Sequence, residues 1–305
     1  MLAEVLDIGL PGQNEIWVDG TAGGGGHSQA ILNLLGPSGL LIAIDRDPAA
    51  AQRLSAELVD QRVHVRCDSY EHIPEILSEF GDAKANGILL DLGLSSDQLA
   101  DPQRGFSFAA TGLLDMRFDI DSGQPVWQWL HSASEREIAD VIFRYGEERY
   151  SRRIARKIVL FRHEEVIQTA ARLREIISAS VPQTYKHGQR LDPATRTFQA
   201  LRIFINDELE IIQRALDRLP DCLAEGGRLV VISFHSLEDR IVKNCLRSNP
   251  RLEVITTKPV QPTEAETVRN PRARSAKLRA AVRSDSPKSG NRNKYAAFSK
   301  VRPNT

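Results

Sequence analysis

A rhythm of short apolar runs, each closed by a polar or acidic residue and followed by a helical stripe, constrains this chain more than any other feature. Glu15-Ile16-Trp17-Val18-Asp19 reads as a short strand. Leu40 to Asp45 is a continuous apolar run ending in an acid, Val63 to Cys67 alternates, and Gly87 to Leu92 is a second buried-type run. Such runs suit parallel strands covered on both faces. Between them, Asp47-Pro48 supplies an N-cap and a proline at the first helical position, ahead of Leu54 and Leu58. Ile73, Ile76, Leu77 and Phe80 then recur at helical spacing before Gly81. Strands alternating with helices predict a doubly wound parallel sheet.

The rhythm stops near Asp101 and returns after Leu201. The stretch between carries helical stripes instead: Ile138, Val141, Ile142 and Tyr145; Ile154, Ile158 and Phe161; Leu173, Ile176 and Ile177. Ser132-Ala133-Ser134-Glu135 reads as the capping box that opens the first. The α/β pattern resumes with a helix (Leu209, Ile212, Leu216, Leu219), a Gly226-Gly227 turn, the strand Arg228 to Ser233 and a helix from about Ser236. The expectation is an α/β fold in which a sheet domain, residues 1–102 and 203–305, carries an inserted all-helical domain, residues 103–202.

The loop Asp19-Gly20-Thr21-Ala22-Gly23-Gly24-Gly25-Gly26-His27-Ser28 follows the first strand and opens a helix. Glycines there allow positive φ and close backbone approach to a ligand. Alone, such a loop also reads as a flexible turn. The G-x-G-x-x-G spacing of a dinucleotide fold is absent, and so is the P-loop pattern. Asp45 ends the second strand, where an acid can bond both ribose hydroxyls of an adenosine. Asp47 is the better helix cap, which frees Asp45. Asp19 is placed to take an ammonium group. A zwitterionic nucleoside such as S-adenosylmethionine fits this set better than NAD. Tyr70, after the third strand, is read either as a ring against the adenine or as a core aromatic at a helix start. Leu90-Asp91-Leu92-Gly93-Leu94-Ser95-Ser96-Asp97-Gln98 forms a polar turn beyond the fourth strand, where ligands of open α/β sheets sit. Ser95 or Ser96 is equally a helix N-cap.

Net charge is zero but unevenly spread. From Arg269 onward there are 11 basic residues and one acid, Asp285, leaving 29 bases and 39 acids elsewhere. A basic tail on an acidic body suits contact with a polyanion, or reads as a solvated tail. Cys67, Cys222 and Cys245 stand far apart with no CxxC, which argues against a disulfide framework or a zinc site and fits a reducing cytoplasm. No apolar run approaches the roughly 20 residues of a membrane span, and the first residues lack the basic region of a secretory signal. No metal-ligand spacing is present.

Longer strings carry a resemblance. DGTAGGGGHS (19–28), AIDRDP (43–48), GILLDLGLSSDQL (87–99), RGFSF (104–108), LDMRFD (114–119), RYGEER (144–149), PATRTFQALRIFINDEL (193–209), VISFHSLEDRIVK (231–243) and NPRARSAKLRA (270–280) span essentially the whole chain. Through them it resembles the ribosomal RNA small subunit methyltransferase H family, which methylates N4 of a cytidine in the decoding region of 16S rRNA. The resemblance implies a Rossmann-like class I methyltransferase sheet domain with an inserted helical substrate-recognition domain. It implies S-adenosylmethionine as cofactor, contacted by Gly25, Gly26, His27, Asp45, Tyr70, Asp91 and Gln98, and the small ribosomal subunit as partner. Three features depart from the family pattern. Tyr70 stands where Phe is usual, Asp97 replaces a usual Pro, and the N-terminus is a little shorter.

For that reaction the exocyclic amine is a poor nucleophile, because its lone pair is delocalised into the ring. Hydrogen-bond acceptors in a rigid turn would favour a pyramidal nitrogen and align it with the methyl group, with the base drawn out of its stack. Asp91, Ser95 and Ser96 are the expected catalytic residues. Asp91 as a cofactor contact, and Asp97, Ser233 or His235 as acceptors, are the alternatives. RNA phosphates are expected to meet Arg152, Arg153, Arg156 and Lys157, then Arg196 and Arg202, then Arg272 and Arg274. Two other functions share these features: an amino-group methyltransferase for another substrate, and a non-catalytic RNA-binding assembly factor.

Overall fold

The computed structural model describes residues 1–108, 110, 112–182 and 192–285. The chain forms two compact units, Met1–Gly93 with Leu209–Thr305, and Leu94–Glu208. These divisions lie several residues outside the expected borders at 102 and 202. The Arg202–Glu208 ion pair ties the second flanking segment to the helical unit.

The first unit opens with α1 (Leu2–Gly9), then β1 (Ile16–Asp19), α2 (Gly26–Leu32), β2 (Leu40–Asp45), α3 (Pro48–Glu57), β3 (Val63–Cys67), α4 (Ile73–Ser78) and β4 (Ala85–Asp91). The second unit contributes α5 (Ser96–Ala100), α6 (Val126–Ser132), α7 (Glu135–Gly146), α8 (Ser151–Arg162), α9 (Ala170–Ser180) and α10 (Thr195–Ile205). The chain returns to the sheet through α11 (Glu208–Cys222), β5 (Leu223–Ser233), α12 (Ser236–Ser248), β6 (Leu252–Val254), α13 (Glu264–Arg269) and β7 (Lys277–Arg283).

The seven strands lie in the order β3-β2-β1-β4-β5-β7-β6. The first five are parallel and β7 runs antiparallel between β5 and β6. This is the expected Rossmann-like sheet. Strand alternation sorts its core. Val18, Ile42, Ile44, Ile88, Leu90 and Val231 pack on one face with Leu216 and Leu219 of α11. Trp17, Leu41, Leu89, Val230 and Ile232 pack on the other with Val5 of α1 and Ile31 of α2. Each such side chain contributes roughly 1.5–3 kcal/mol on burial. Gly87 of β4 lies under the Trp17 indole, where a Cβ would come within 2.3 Å of the ring.

The helical unit buries the predicted stripes. Ile138 and Ile142 of α7, Ile154 and Ile158 of α8, and Leu173 and Ile177 of α9 are all fully buried. Phe161 instead lies partly open, between Lys157 at 5.7 Å and Arg172 at 5.1 Å from the ring centre. The capping box of α7 is Ser134 with Glu137, two residues beyond the expected pair. Ser132 belongs to the last turn of α6, so its side chain has no helix start to cap. Met116 is fully buried with φ +63°, a strained setting for a long side chain. Asn206 holds it there, donating to the Met116 and Arg202 carbonyls and accepting from the Phe118 N–H.

Part of the basic stretch after Arg269 is sheet, not tail. Lys277, Arg279 and Arg283 lie in β7, with Arg279 buried and paired to Asp239 at 2.6 Å. Lys288, Arg292, Lys294, Lys300 and Arg302 lie outside the described residues. Among the described residues no helix is long and apolar enough to cross a membrane.

Candidate active site

Three adjacent strands, β2, β1 and β4, end in Asp45, Asp19 and Asp91, and the glycine loop folds over these ends. Positive φ at Gly23 (+50°) and Gly25 (+76°) turns the loop into α2, with Gly25 as N-cap. A Cβ on Gly25 would lie 2.9 Å from Leu54, whereas one on Gly26 would meet open space. The loop is tied to the sheet at each step. Gly20 N–H donates to the Leu89 carbonyl and Ala22 N–H to that of Ile44. The Thr21 hydroxyl accepts the Asp91 N–H at 2.6 Å.

Asp19 is 1% exposed. Its oxygens take the Thr21 N–H at 3.3 Å and the Ser28 hydroxyl at 2.6 Å. These two donors hold Asp19 in place, and Asp19 organises the loop from beneath. Asp45 accepts the Gly23 N–H at 2.7 Å and the Asp47 N–H at 2.8 Å. Asp47 caps α3 through the Ala49 N–H, as its sequence position predicted. Asp45 therefore fixes the loop, and these two bonds leave it further acceptor capacity.

Asp91 differs from both. Its Oδ2 lies 3.6 Å from His27 Nδ1, and its Oδ1 is buried with no hydrogen-bond partner among the described residues. Burial pushes Asp91 up to about 6, with the His27 side chain acting against the rise. Burial likewise lifts Asp19 and Asp45 to about 6. It pushes His27 below its ordinary value, with Asp91 opposing. At neutral pH the pair is a neutral imidazole beside a carboxylate with one oxygen unsatisfied. A buried orphan acceptor of this kind points to a donor that arrives from outside.

Tyr70 opens a 3₁₀ turn (Tyr70–His72) and packs partly against the sheet core, its Cβ beside Gly20. Gly25, Gly26, His27, Asp45, Tyr70 and Asp91 thus all belong to the sheet unit. Ser95, Ser96 and Gln98 belong to the helical unit. Ser95 caps α5, its hydroxyl accepting the Gln98 N–H while Gln98 Oε1 accepts the Ser95 N–H, both at 3.1 Å. Ser96 is exposed. Asp97 sits in the first turn of α5 without disturbing the cap, a favourable place for an acid. His235 is the N-cap of α12, accepting the Glu238 N–H, and Ser233 is buried. Thr21 and Ser28, which fasten Asp91 and Asp19, were missed. The signal was two hydroxyls inside a glycine loop flanked by acids.

The arginines expected to meet RNA are also sorted. Arg202 is paired with Glu208 at 2.7 Å and is largely buried, so it is structural. Arg196 is exposed but donates to the Glu147 carbonyl. Arg272 and Arg274 are exposed on the 3₁₀ turn Pro271–Ser275.

The chain as a whole is similar to known proteins. A relative from Rhodopirellula baltica, named Ribosomal RNA small subunit methyltransferase H, is 49% identical over 277 residues, 87% of this chain and 85% of its own. One of the same name from Synechococcus elongatus is 46% identical, covering 92% of each chain. A solved rRNA methylase from Streptococcus thermophilus aligns with a TM-score of 0.42 and 11% identity, covering 93% of this chain and 94% of its own. The model of the MraW methylase family matches residues 1–284. The chain belongs to the MraW methylase family.

Proposed function

We propose that this protein transfers a methyl group from S-adenosylmethionine to the N4 amine of a cytidine in the decoding region of 16S rRNA. The observation that carries the reading is Asp91: a half-buried carboxylate with one orphan oxygen beside a neutral histidine. Close relatives named for small-subunit rRNA methylation supply the substrate class. The site of action is the cytoplasm, where ribosomal subunits are made.

The residues fit the cofactor. The open space at Gly26 and the acceptor capacity of Asp45 suit a zwitterionic nucleoside. Asp45 would accept from the ribose hydroxyls. Gly25, Gly26 and His27 would border the amino acid portion, with Tyr70 by the base; Gln98 is proposed as a further cofactor contact from the family resemblance alone. When bound, the cofactor supplies an electrophilic methyl group on a sulfonium.

Asp91 acts on the amine. As a carboxylate it accepts an N4–H hydrogen bond, which draws the lone pair out of conjugation and orients it. The nitrogen gains a methyl group and loses one proton. With a value near 6, Asp91 is basic enough to hold that proton and then release it to water. Ser95 and Ser96 complete a rigid polar turn, stiffened by the reciprocal Ser95–Gln98 cap. The helical unit, residues 94–208, recognises the RNA.

Substrate competition tests this. Methyl-labelled cofactor is supplied with small subunits lacking the modification, large subunits, duplex DNA and cytoplasmic protein. Label is expected in small-subunit RNA alone. Label in DNA or protein would make the enzyme an amino-group methyltransferase of another kind. Subunit binding without label would make it an assembly factor.

A further inference from the structure

We propose that α8 of the helical unit is a phosphate track for the RNA strand, with Arg152, Arg153 and Arg156 as its contacts. The proposal rests on the rRNA reading above.

The sequence of α8, SRRIARKIVLFR, holds five bases and no acid. Its inward face is fixed by Ile154, Ala155 and Ile158, all fully buried. That orientation turns Arg152, Arg153 and Arg156 outward, and all three are exposed. Arg152 and Arg156 stand one turn apart, about 6 Å along the axis, with Arg153 beside them.

These three make no hydrogen bond or ion pair among the described residues, which sets them apart from the basic residues around them. On α9, Arg172 is paired with Glu165 and Glu175, and Arg174 with Asp192. Arg117 is paired with Asp115. On α8 itself, Arg162 donates to the Leu130 and Ala133 carbonyls, and Lys157 lies over Phe161.

Stability does not explain the arrangement. Like charges at i,i+3 and i,i+4 oppose a helix by a few tenths of a kcal/mol per pair. Arg152 and Arg153 also occupy the first turn, which has no acid and where the helix dipole disfavours cations. A row of three uncompensated guanidiniums at one-turn spacing is suited to an extended polyanion, whose phosphates would supply the missing counter-charge.

The test is the salt dependence of binding to a labelled single-stranded fragment of small-subunit rRNA, read by fluorescence anisotropy with the full chain. Four proteins are compared: wild type, R152Q/R153Q/R156Q, the same three positions changed to Lys, and the paired control R172Q/R174Q. The Gln triple is expected to lower the slope of log affinity against log salt by about 2, given roughly 0.7 per phosphate contact. Wild type should then lose roughly 20-fold more affinity than this variant between 50 and 200 mM salt. The Lys triple should restore the slope and the control should keep it. Far-UV circular dichroism and thermal unfolding should be the same in all four, which shows that each is folded.

A wild-type slope in the Gln triple, or an equal fall in the control, would overturn the track while methyl transfer to small subunits still upheld the rRNA reading. Loss of binding to assembled subunits with unchanged binding to naked RNA would assign the row to an acidic protein surface and overturn the proposal. A wild type that neither binds RNA nor methylates subunits would overturn the rRNA reading, and the track with it.

Discussion

Burial, more than any neighbouring charge, sets the protonation of the three acids that end β1, β2 and β4. In the proposed role Asp91 accepts from an amine as a carboxylate, so the rate of methyl transfer should fall as pH drops through about 6. In Asp91→Asn the rate should be lower by roughly 100-fold, in the range of a lost charged transition-state contact, and that pH step should vanish. A pH-rate profile of both proteins checks this; an unchanged step in the variant would acquit Asp91. Asp19 gives a stability prediction with the opposite sense. Its folded value lies above its unfolded one, so the folded state binds more protons between about pH 4 and 6. Stability is therefore lost as pH rises through that window, by about 3 kcal/mol at 1.36 kcal/mol per unit, an upper figure. Urea unfolding at pH 4, 5, 6 and 7 should show a fall in wild type to which Asp19, Asp45 and Asp91 all contribute, and Asp19→Asn should make it shallower by the Asp19 share. A wild-type curve that rises across the window would contradict the account.

At the scale of elements, the parallel strands and α3 were legible because their signals are local: an apolar run, or a cap followed by proline. The α7 start was displaced because the S-x-x-E pattern occurs twice in overlapping register, at Ser132 and Ser134. Only the Ser134 copy has its serine outside a helix. β7 was hidden by its bases. Arg279 enters the sheet because Asp239, 40 residues earlier, neutralises it, and no local pattern reveals a pairing of that range. The Met116 strain was equally invisible, since its latch, Asn206, lies 90 residues on. Asn206→Ala should destabilise the protein by about 2–4 kcal/mol, because three hydrogen bonds of a buried side chain are lost. Ser134→Ala should cost about 1 kcal/mol. Thermal or urea unfolding separates the two; an Asn206→Ala loss no larger than the Ser134→Ala loss would show that the latch carries no special weight.

Over the whole molecule, the sheet end was readable where acids close strands beside glycines, as at Asp45 and Asp91. What those residues bond to was not, because Thr21 and Ser28 act through tertiary geometry. In the proposed function the sheet unit presents Asp91 and the glycine loop, and the helical unit holds RNA. The central claim is the identity of the methylated atom. The most direct measurement is nucleoside analysis of small-subunit rRNA after transfer from labelled S-adenosylmethionine, with wild type, Asp45→Ala and Asp91→Asn in parallel. The account predicts label as N4-methylcytidine with wild type and a large loss in both variants, by weaker cofactor affinity in Asp45→Ala and by a lower kcat in Asp91→Asn. Label on a different nucleoside, or undiminished N4 transfer by Asp91→Asn, would contradict it.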